Sequence, residues 1–383
     1  MKNILTVSTY SPTSQGFGGI TRSVTAYLSV LSSISNRTSY LGPNGSLRGH
    51  VTTAEINKIL PNVDVYLYTP VLHKKWGIGP GILRHLGKIV FADLIFIHGA
   101  RTMPTILSGI VARLFRKRYL VVAHAGLDHQ RMKRTFRKRP VTFALLEFFV
   151  RVSVNGAERI IVSGGAEEET LHPAFRKIPV VRVENFFDLS VPFAEPSDIR
   201  IGRRYIFVGR IESDKGILTF IRVWKAAAGP DDRLFVVGSG SGQYAERVFR
   251  ELKADDRIIY VGEVEGEKIP GLMTEAHVLV LPTGLDDPVT ENFGNVVAET
   301  LINSRPAMVT SGMHWDEYSD SRAVMIFKPN AEAASQMIKN FSKLDQDTYN
   351  EMCAAAHKLG KRFSSDHARQ KLQAIVDGET PIS

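Results

Sequence analysis

Tyr205-Ile-Phe-Val-Gly-Arg210-Ile-Glu-Ser-Asp-Lys215-Gly216 reads as a short apolar strand that stops at a glycine, crosses a charged loop and restarts as a helix. The same grammar recurs along the chain, where short β-branched runs alternate with helical stretches, and this predicts βαβ units and mainly parallel sheets. Strands are expected at Ile4–Ser8, Thr38–Leu41, Val63–Tyr68, Leu94–His98, Leu120–His124, Ile160–Ser163 and Val180–Val183 in the first half. In the second half they are expected at Tyr205–Gly209, Leu234–Gly238, Ile258–Val261, Val278–Pro282, Ala307–Thr310 and Val324–Phe327. Each set is enough for one doubly wound sheet. Asp188 to Gly202 holds Pro192, Phe193, Pro196 and Gly202 without periodicity and is the expected junction. The reading is therefore an α/β protein with two Rossmann-like domains, 1–190 and 203–362, a linker at 191–202, and a terminal helix within 363–383 that packs back on the first domain. Ligands are expected in a cleft at the carboxyl ends of both sets of strands.

Composition excludes several classes. With 383 residues, 44% hydrophobic and 23% charged, the chain has the balance of an ordinary globular protein. A single cysteine, Cys353, rules out an internal disulfide framework and, in an Ala-rich helical stretch, reads as packing and not as a nucleophile. The N-terminus runs straight into Asn3–Ser8, too short for a signal segment, so a cytoplasmic location is expected. Val141 to Val154 is the most apolar segment, but Glu147 and Arg151 interrupt it and it falls short of the ~20 residues that span a bilayer, so it is expected to be a buried helix.

Charge is uneven. Residues 1–190 carry 25 Lys and Arg against 11 Asp and Glu, whereas the remaining 193 carry 23 against 28. The first half should therefore meet something anionic. Two clusters hold much of the excess. Arg113-Leu-Phe-Arg-Lys-Arg118 closes an amphipathic stretch with apolar residues at Leu107, Ile110, Val111, Leu114 and Phe115, and Arg131-Met-Lys-Arg-Thr-Phe-Arg-Lys-Arg139 is denser. Basic clusters interleaved with apolar side chains suit an anionic membrane surface, so 107–118 and 131–139 are expected to touch the inner face of the cell membrane. No zinc-finger, RRM or KH signature accompanies them, and nucleic acid is not an expected partner.

The chemistry is sought where strands end. Gly16-Phe-Gly-Gly19 opens a helix after the first strand, where glycines let backbone approach a phosphate or sugar. Arg210 and Lys215-Gly216 bring two cations and free amides to the second domain's first turn, which is what a diphosphate leaving group requires. Leu234-Phe-Val-Val-Gly238 runs into another glycine turn, and Leu281-Pro282 leads towards Glu291-Asn-Phe-Gly-Asn-Val-Val-Ala-Glu299. On a continuous helix those two glutamates would share a face ~12 Å apart along the axis, a span suited to a long polar ligand. Asp286-Asp287 lacks a third ligand and is weak as a metal site.

Taken in order, Gly18-Gly19, Val208-Gly-Arg210, Lys215-Gly216, Val236-Val-Gly238, Leu281-Pro282, Glu291 to Glu299 and Ser311-Gly-Met-His-Trp315 resemble glycosyltransferase family 4, the retaining sugar-nucleotide transferases of GT-B fold. The second-domain motifs carry most of that resemblance. It implies that Arg210 and Lys215 clamp the donor diphosphate, that Glu291 binds sugar hydroxyls beside the anomeric carbon, and that Glu299 holds the ribose. Gly18, Gly19, Gly238, Phe293, Gly294 and Asn295 complete the implied donor site. The family's first-domain histidine corresponds to His124, with His98 as the rival. The resemblance further implies transfer of a hexose-type sugar with retention, attack coming from the face the diphosphate leaves, and no metal or other cofactor. Together with the basic first domain it points to a lipid-linked glycan acceptor in cell-surface polysaccharide synthesis, such as O-antigen, capsule or exopolysaccharide. The alternative is another GT-B nucleotide-sugar reaction, such as epimerisation. Thr300 and Arg305 depart from the family pattern, beyond the implied donor contacts.

Overall fold

The structure is a computed structural model and describes residues 2–13, 19–46, 49–71, 76–124, 126–128, 133, 139–187, 192–288 and 293–380. The chain divides into two compact units, one formed by 1–188 with 365–383, the other by 189–364.

The first unit holds a seven-stranded sheet of β1 (Asn3–Ser8), β2 (Arg37–Pro43), β3 (Val63–Tyr68), β4 (Leu94–His98), β5 (Arg118–Val122), β6 (Arg159–Val162) and β7 (Val180–Arg182). Its spatial order is β3-β2-β1-β4-β5-β6-β7 with every pairing parallel. The second unit repeats the plan with β8 (Arg204–Val208), β9 (Arg233–Val237), β10 (Ile258–Gly262), β11 (Val278–Leu281), β12 (Ala307–Thr310) and β13 (Val324–Phe327). Their order is β10-β9-β8-β11-β12-β13, again all parallel. All thirteen strands expected from the apolar runs form, and both sheets have the doubly wound order whose direction reverses beside the first strand. A two-residue antiparallel hairpin, Gly45–Ser46 with Gly49–His50, is additional.

Alternate strand residues bury on opposite faces of the first sheet. Leu5, Val7, Ile95, Ile97 and Val121 share a core with Val111 and Ala112 of helix Met103–Leu114 and with Leu146, Val150 and Val154 of helix Pro140–Val154. Ile4, Leu94, Phe96, Leu120 and Val122 face the other way, onto helix Gly19–Ile34 and helix Ser365–Asp377. The last helix docks through Leu372, Ile375 and Val376, and its Lys371 makes a buried ion pair of 2.8 Å with Glu184.

Helix Pro140–Val154 corrects the expectation of a buried helix. Val141, Leu145, Phe148 and Phe149 are exposed, and only Leu146, Val150, Ser153 and Val154 are buried. A helix lying on one face of a sheet can cover only one stripe of its own surface, and here the sequence is apolar well beyond that stripe. Among the described residues no helix is long and apolar enough to cross a membrane.

Residues 193–199 pack onto the second unit. Ile199 is buried in its core, and its amide donates to Gln346 at 3.0 Å. Arg305, 1% exposed, donates to the carbonyls of Ala194 and Glu195 at 2.9 Å and to those of Thr274 and Ala276 at 2.8–3.1 Å. The rigid guanidinium fork thus ties the entry segment to the turn before β11. Thr300 donates back to the Val296 carbonyl at 2.7 Å within its helix, so both departures from the family pattern have structural work. Replacing Arg305 with Met strands those carbonyls in the interior and is expected to destabilise the second unit by about 3 kcal/mol, read as a lowered urea midpoint.

Candidate functional site

The carboxyl edge of the second sheet is where its loops nest. Beyond β8 the backbone passes Gly209 and Arg210 into a 3-10 turn at Ser213–Lys215, then reverses through Gly216, whose φ of +68° is left-handed, into helix Ile217–Ala227. That helix forms because Ile217, Leu218, Phe220, Ile221 and Trp224 recur at helical spacing and are all buried. A Cβ at Gly216 would lie 2.0 Å from the Pro282 carbonyl oxygen, so the loop after β8 abuts the loop after β11. Gly238, with φ +136°, is pressed on the Gly209 carbonyl in the same way, at 1.8 Å for a would-be Cβ. Amide donation from Ile211 to Ser239 at 2.9 Å and from Gly284 to Asp214 at 3.1 Å completes the contact. The loops after β8, β9 and β11 therefore form one continuous surface at the point where strand order reverses, the usual ligand position in open α/β sheets.

Arg210 is 62% exposed and pairs with Glu212 and, at 3.6 Å, with Asp214. Exposed pairs of this kind are worth only ~0–1 kcal/mol, so an anion able to take both guanidinium edges would displace them readily. Lys215 closes the same turn. The amides expected to be free beside it are not. Asp286 accepts from the Leu218 and Thr219 amides at 3.1 Å and from the Tyr244 hydroxyl at 2.6 Å. This carboxylate, easily read as half of a metal motif, neutralises the amino end of helix Ile217–Ala227. The role of Asp286 and its partner Tyr244 is not legible in the sequence because the contacts join positions 68 and 42 residues apart.

A second helix begins at the same edge. Gly294, φ +66°, is the cap of helix Asn295–Ile302, and no described side chain caps it. A Cβ there would meet Leu281 at 2.7 Å and Met313 at 3.0 Å. The left-handed turn means that helical spacing starts only at Asn295, so the ~12 Å ruler expected between Glu291 and Glu299 does not apply as a continuous helix. Glu291 lies outside the described residues, as does Gly18. Glu299 is on the helix and 5% exposed. Phe293 is buried at 4%, stacked on His314 with ring centroids 4.9 Å apart, and its carbonyl accepts from the Trp315 indole. Its ring is thus a packing element, and Trp315 fixes the backbone just ahead of Gly294.

In the first unit Gly19 starts helix Gly19–Ile34. The rival histidines turn out to be partners. His98 ends β4, His124 follows β5, and His98 Nδ1 lies 2.9 Å from His124 Nε2 with the rings stacked. His98 is registered opposite Ser8 of β1, at this sheet's own reversal point. His124 has φ +45°, a left-handed conformation uncommon outside glycine, and strain of this kind gathers at functional sites. Burial lowers His124 to about 4 from an ordinary 6.5, and His98 is pushed well below 6.5 by burial first and by His124 second. Both rings are therefore neutral at pH 7, one donating the shared hydrogen bond and the other accepting it. Cys353 is buried in the second core, and burial raises its thiol.

Residues 202–344 match the family model of glycosyl transferases group 1. The matched stretch contains Arg210, Lys215, Gly238, Gly294 and Glu299. A 2-deoxystreptamine N-acetyl-D-glucosaminyltransferase of Streptomyces fradiae is 25% identical over 235 residues, 56% of this chain and 53% of that protein. A 2-deoxystreptamine glucosyltransferase of Streptomyces kanamyceticus is 28% identical over 236 residues, 56% of this chain and 58% of that protein. The chain thus spans about half the length of the curated relatives it matches. Anabaena HepE, solved in complex with UDP, superposes with a TM-score of 0.73 at 15% identity over 99% of this chain and 100% of that one. That likeness establishes the fold, two Rossmann-like parallel-sheet units of the GT-B type.

Two outcomes follow from this geometry. Gly216→Ala must push the loop off Pro282 and is expected to lower the unfolding midpoint by much more than Gly242→Ala, which shares a left-handed φ of +82° but meets nothing within 4 Å and costs only ~1–2 kcal/mol of backbone strain. The histidine pair binds fewer protons folded than unfolded, so its stabilisation is present above pH 6.5 and lost as pH falls towards about 4. In His98→Gln/His124→Asn, stability measured by urea titration should fall less steeply over that window than in wild type.

Proposed function

We propose that the protein is a retaining glycosyltransferase, of family 4 type, that moves a hexose-type sugar from a nucleotide diphosphate sugar to a glycan acceptor. The observation that carries this reading is that Arg210, Lys215 and the amino end of the Glu299 helix all lie at the carboxyl edge of one sheet, in a stretch that matches the group 1 transferases. The relatives' names, an N-acetylglucosaminyltransferase and a glucosyltransferase, support a sugar donor of that class.

In this scheme Arg210 and Lys215 take the diphosphate charge as it develops, and the dipole of helix Asn295–Ile302 adds its positive end. Glu299 holds the ribose and Glu291 the sugar hydroxyls. The acceptor attacks from the face the diphosphate leaves, its proton passing to the leaving phosphate, so catalysis rests on orientation and electrostatics with no side-chain base. The cations serve in place of a metal. His124, neutral and held by His98, offers an uncharged imidazole towards the sugar. The first unit binds the acceptor, a lipid-linked glycan of cell-surface polysaccharide synthesis. Its basic segments 107–118 and 131–139 rest on the anionic inner face of the membrane; of the second segment only Lys133 and Arg139 are among the described residues, and both are exposed.

UDP-, GDP-, ADP- and dTDP-sugars should be screened for thermal stabilisation. A true donor is expected to shift wild type and to bind Arg210→Ala about tenfold to a hundredfold more weakly, the loss of one or two charge-assisted hydrogen bonds. Glu291→Gln should chiefly lower kcat and Glu299→Gln chiefly raise KM. No shift with any sugar nucleotide would sink the reading, and donor conversion without an acceptor would redirect it to epimerisation. Separately, the protein should sediment with anionic vesicles at low salt and be released at high salt; indifference to such vesicles, with charge reversal across 131–139 leaving transfer to a lipid-linked acceptor intact, would remove the membrane from the scheme.

A further inference from the structure

His98 and His124 share one hydrogen bond, but their rings sit in unlike surroundings. His98 is 2% exposed, and Tyr27 of helix Gly19–Ile34 packs edge to face against it with ring centroids 4.8 Å apart. Its Nε2 is sealed from solvent and meets no hydrogen-bonding partner among the described residues. His124 is half-buried, and among the described residues its Nδ1 has no partner.

Backbone bonds hold the pair in place. Gly99 donates to the Val122 carbonyl at 2.8 Å, which fixes the two histidine-bearing strand ends against each other, and Ala123 donates to Ile161 at 2.9 Å, which ties the second of them to β6. The turn after His124 closes by donation from Gly126 to Ala123 at 2.6 Å, and a Cβ at Gly126 would lie 3.4 Å from the Ala100 amide. The left-handed conformation of His124 is thus imposed by its surroundings, and so is the 2.9 Å approach of its Nε2 to His98 Nδ1.

Each neutral imidazole carries a single N–H, and the bond made by one nitrogen decides what the other can do. If His124 donated from Nε2, His98 would carry its hydrogen on Nε2 and bury a donor with nothing to receive it. If His98 donates from Nδ1, its buried Nε2 keeps only a lone pair, and the N–H of His124 moves to Nδ1, the nitrogen that no described residue takes. Orphaned buried N–H groups are the rarer case, and unpaired acceptors are better tolerated.

We propose that His98 is a positioning residue: its Nδ1–H donates to His124 Nε2 and fixes His124 as the Nδ1–H tautomer, so that Nδ1 meets a ligand as a hydrogen-bond donor. What that donor meets rests on the transferase reading, in which it is an oxygen of the donor sugar. In this arrangement His98 touches no ligand and acts through His124 alone.

The full chain, carrying nitrogen-labelled histidine, should be studied by long-range proton–nitrogen NMR near pH 7 with no sugar nucleotide present. The His124 signals, identified by their loss in His124→Asn, are expected to show a protonated Nδ1 and a bare Nε2, the reverse of the tautomer that a solvated imidazole favours. In His98→Leu, which removes the donor, they should revert to the solvated pattern. In His98→Asn, whose side-chain amide can donate from the place of Nδ1, the wild-type pattern should be kept, a difference that loss of packing alone would not produce. A His124 hydrogen on Nε2, with His98 Nε2–H turned on the Tyr27 ring, overturns the proposal. So does a spectrum averaged over both tautomers, or a wild-type pattern in His98→Leu. The wild-type spectrum decides the tautomer even where a variant fails to fold. With a donor identified, His98→Leu should lower kcat about tenfold, the worth of one hydrogen bond, and His98→Asn less; equal losses overturn the positioning role. Because the spectra need no donor, failure to find one would count against the transferase reading and leave the tautomer standing.

Discussion

Backbone pressed on backbone at the carboxyl edge of the second sheet is the constraint on which the rest of that unit depends. At Gly238 against the Gly209 carbonyl, and at Gly216 against that of Pro282, there is no room for even a methyl group. Because these loops touch, the cations that follow β8 lie beside the turns that follow β9 and β11, and the site is a surface instead of a set of separate turns. Glycine is required there twice over, by contact and by left-handed φ, and each requirement alone would cost ~1–2 kcal/mol or more.

The two helix ends at that edge show how the same element can serve opposite purposes. Helix Ile217–Ala227 has its amides taken by Asp286, with Tyr244 holding the same carboxylate, which makes this end a structural joint between β8 and β11. Helix Asn295–Ile302 begins at a glycine with no side-chain cap among the described residues, and its amino end carries the field that attracts an anion. Arg210 lies between these cases, held by exposed carboxylates whose grip is weak enough to exchange for a phosphate.

The first unit presents a different surface. Its sheet buries both faces as the second does, yet helix Pro140–Val154 keeps Val141, Leu145, Phe148 and Phe149 in solvent. Exposing four large apolar side chains is unfavourable in water, and the same unit's sequence carries 25 cations against 11 anions in residues 1–190.

By itself the sequence determined the strands, their parallel pairing and the strand-end positions of Gly216, Gly238, Arg210 and Lys215, because β-branched runs, glycine turns and helical spacing act over a few residues. It left His98 and His124 as rivals and gave neither Asp286 nor Arg305 a structural contact. Tertiary structure decided those. His98 meets His124 across 26 positions and Asp286 meets Leu218 across 68, and only the sheet order brings such residues together. The buried or exposed fate of helix Pro140–Val154 was settled the same way, since its sequence is apolar on more sides than one sheet can cover.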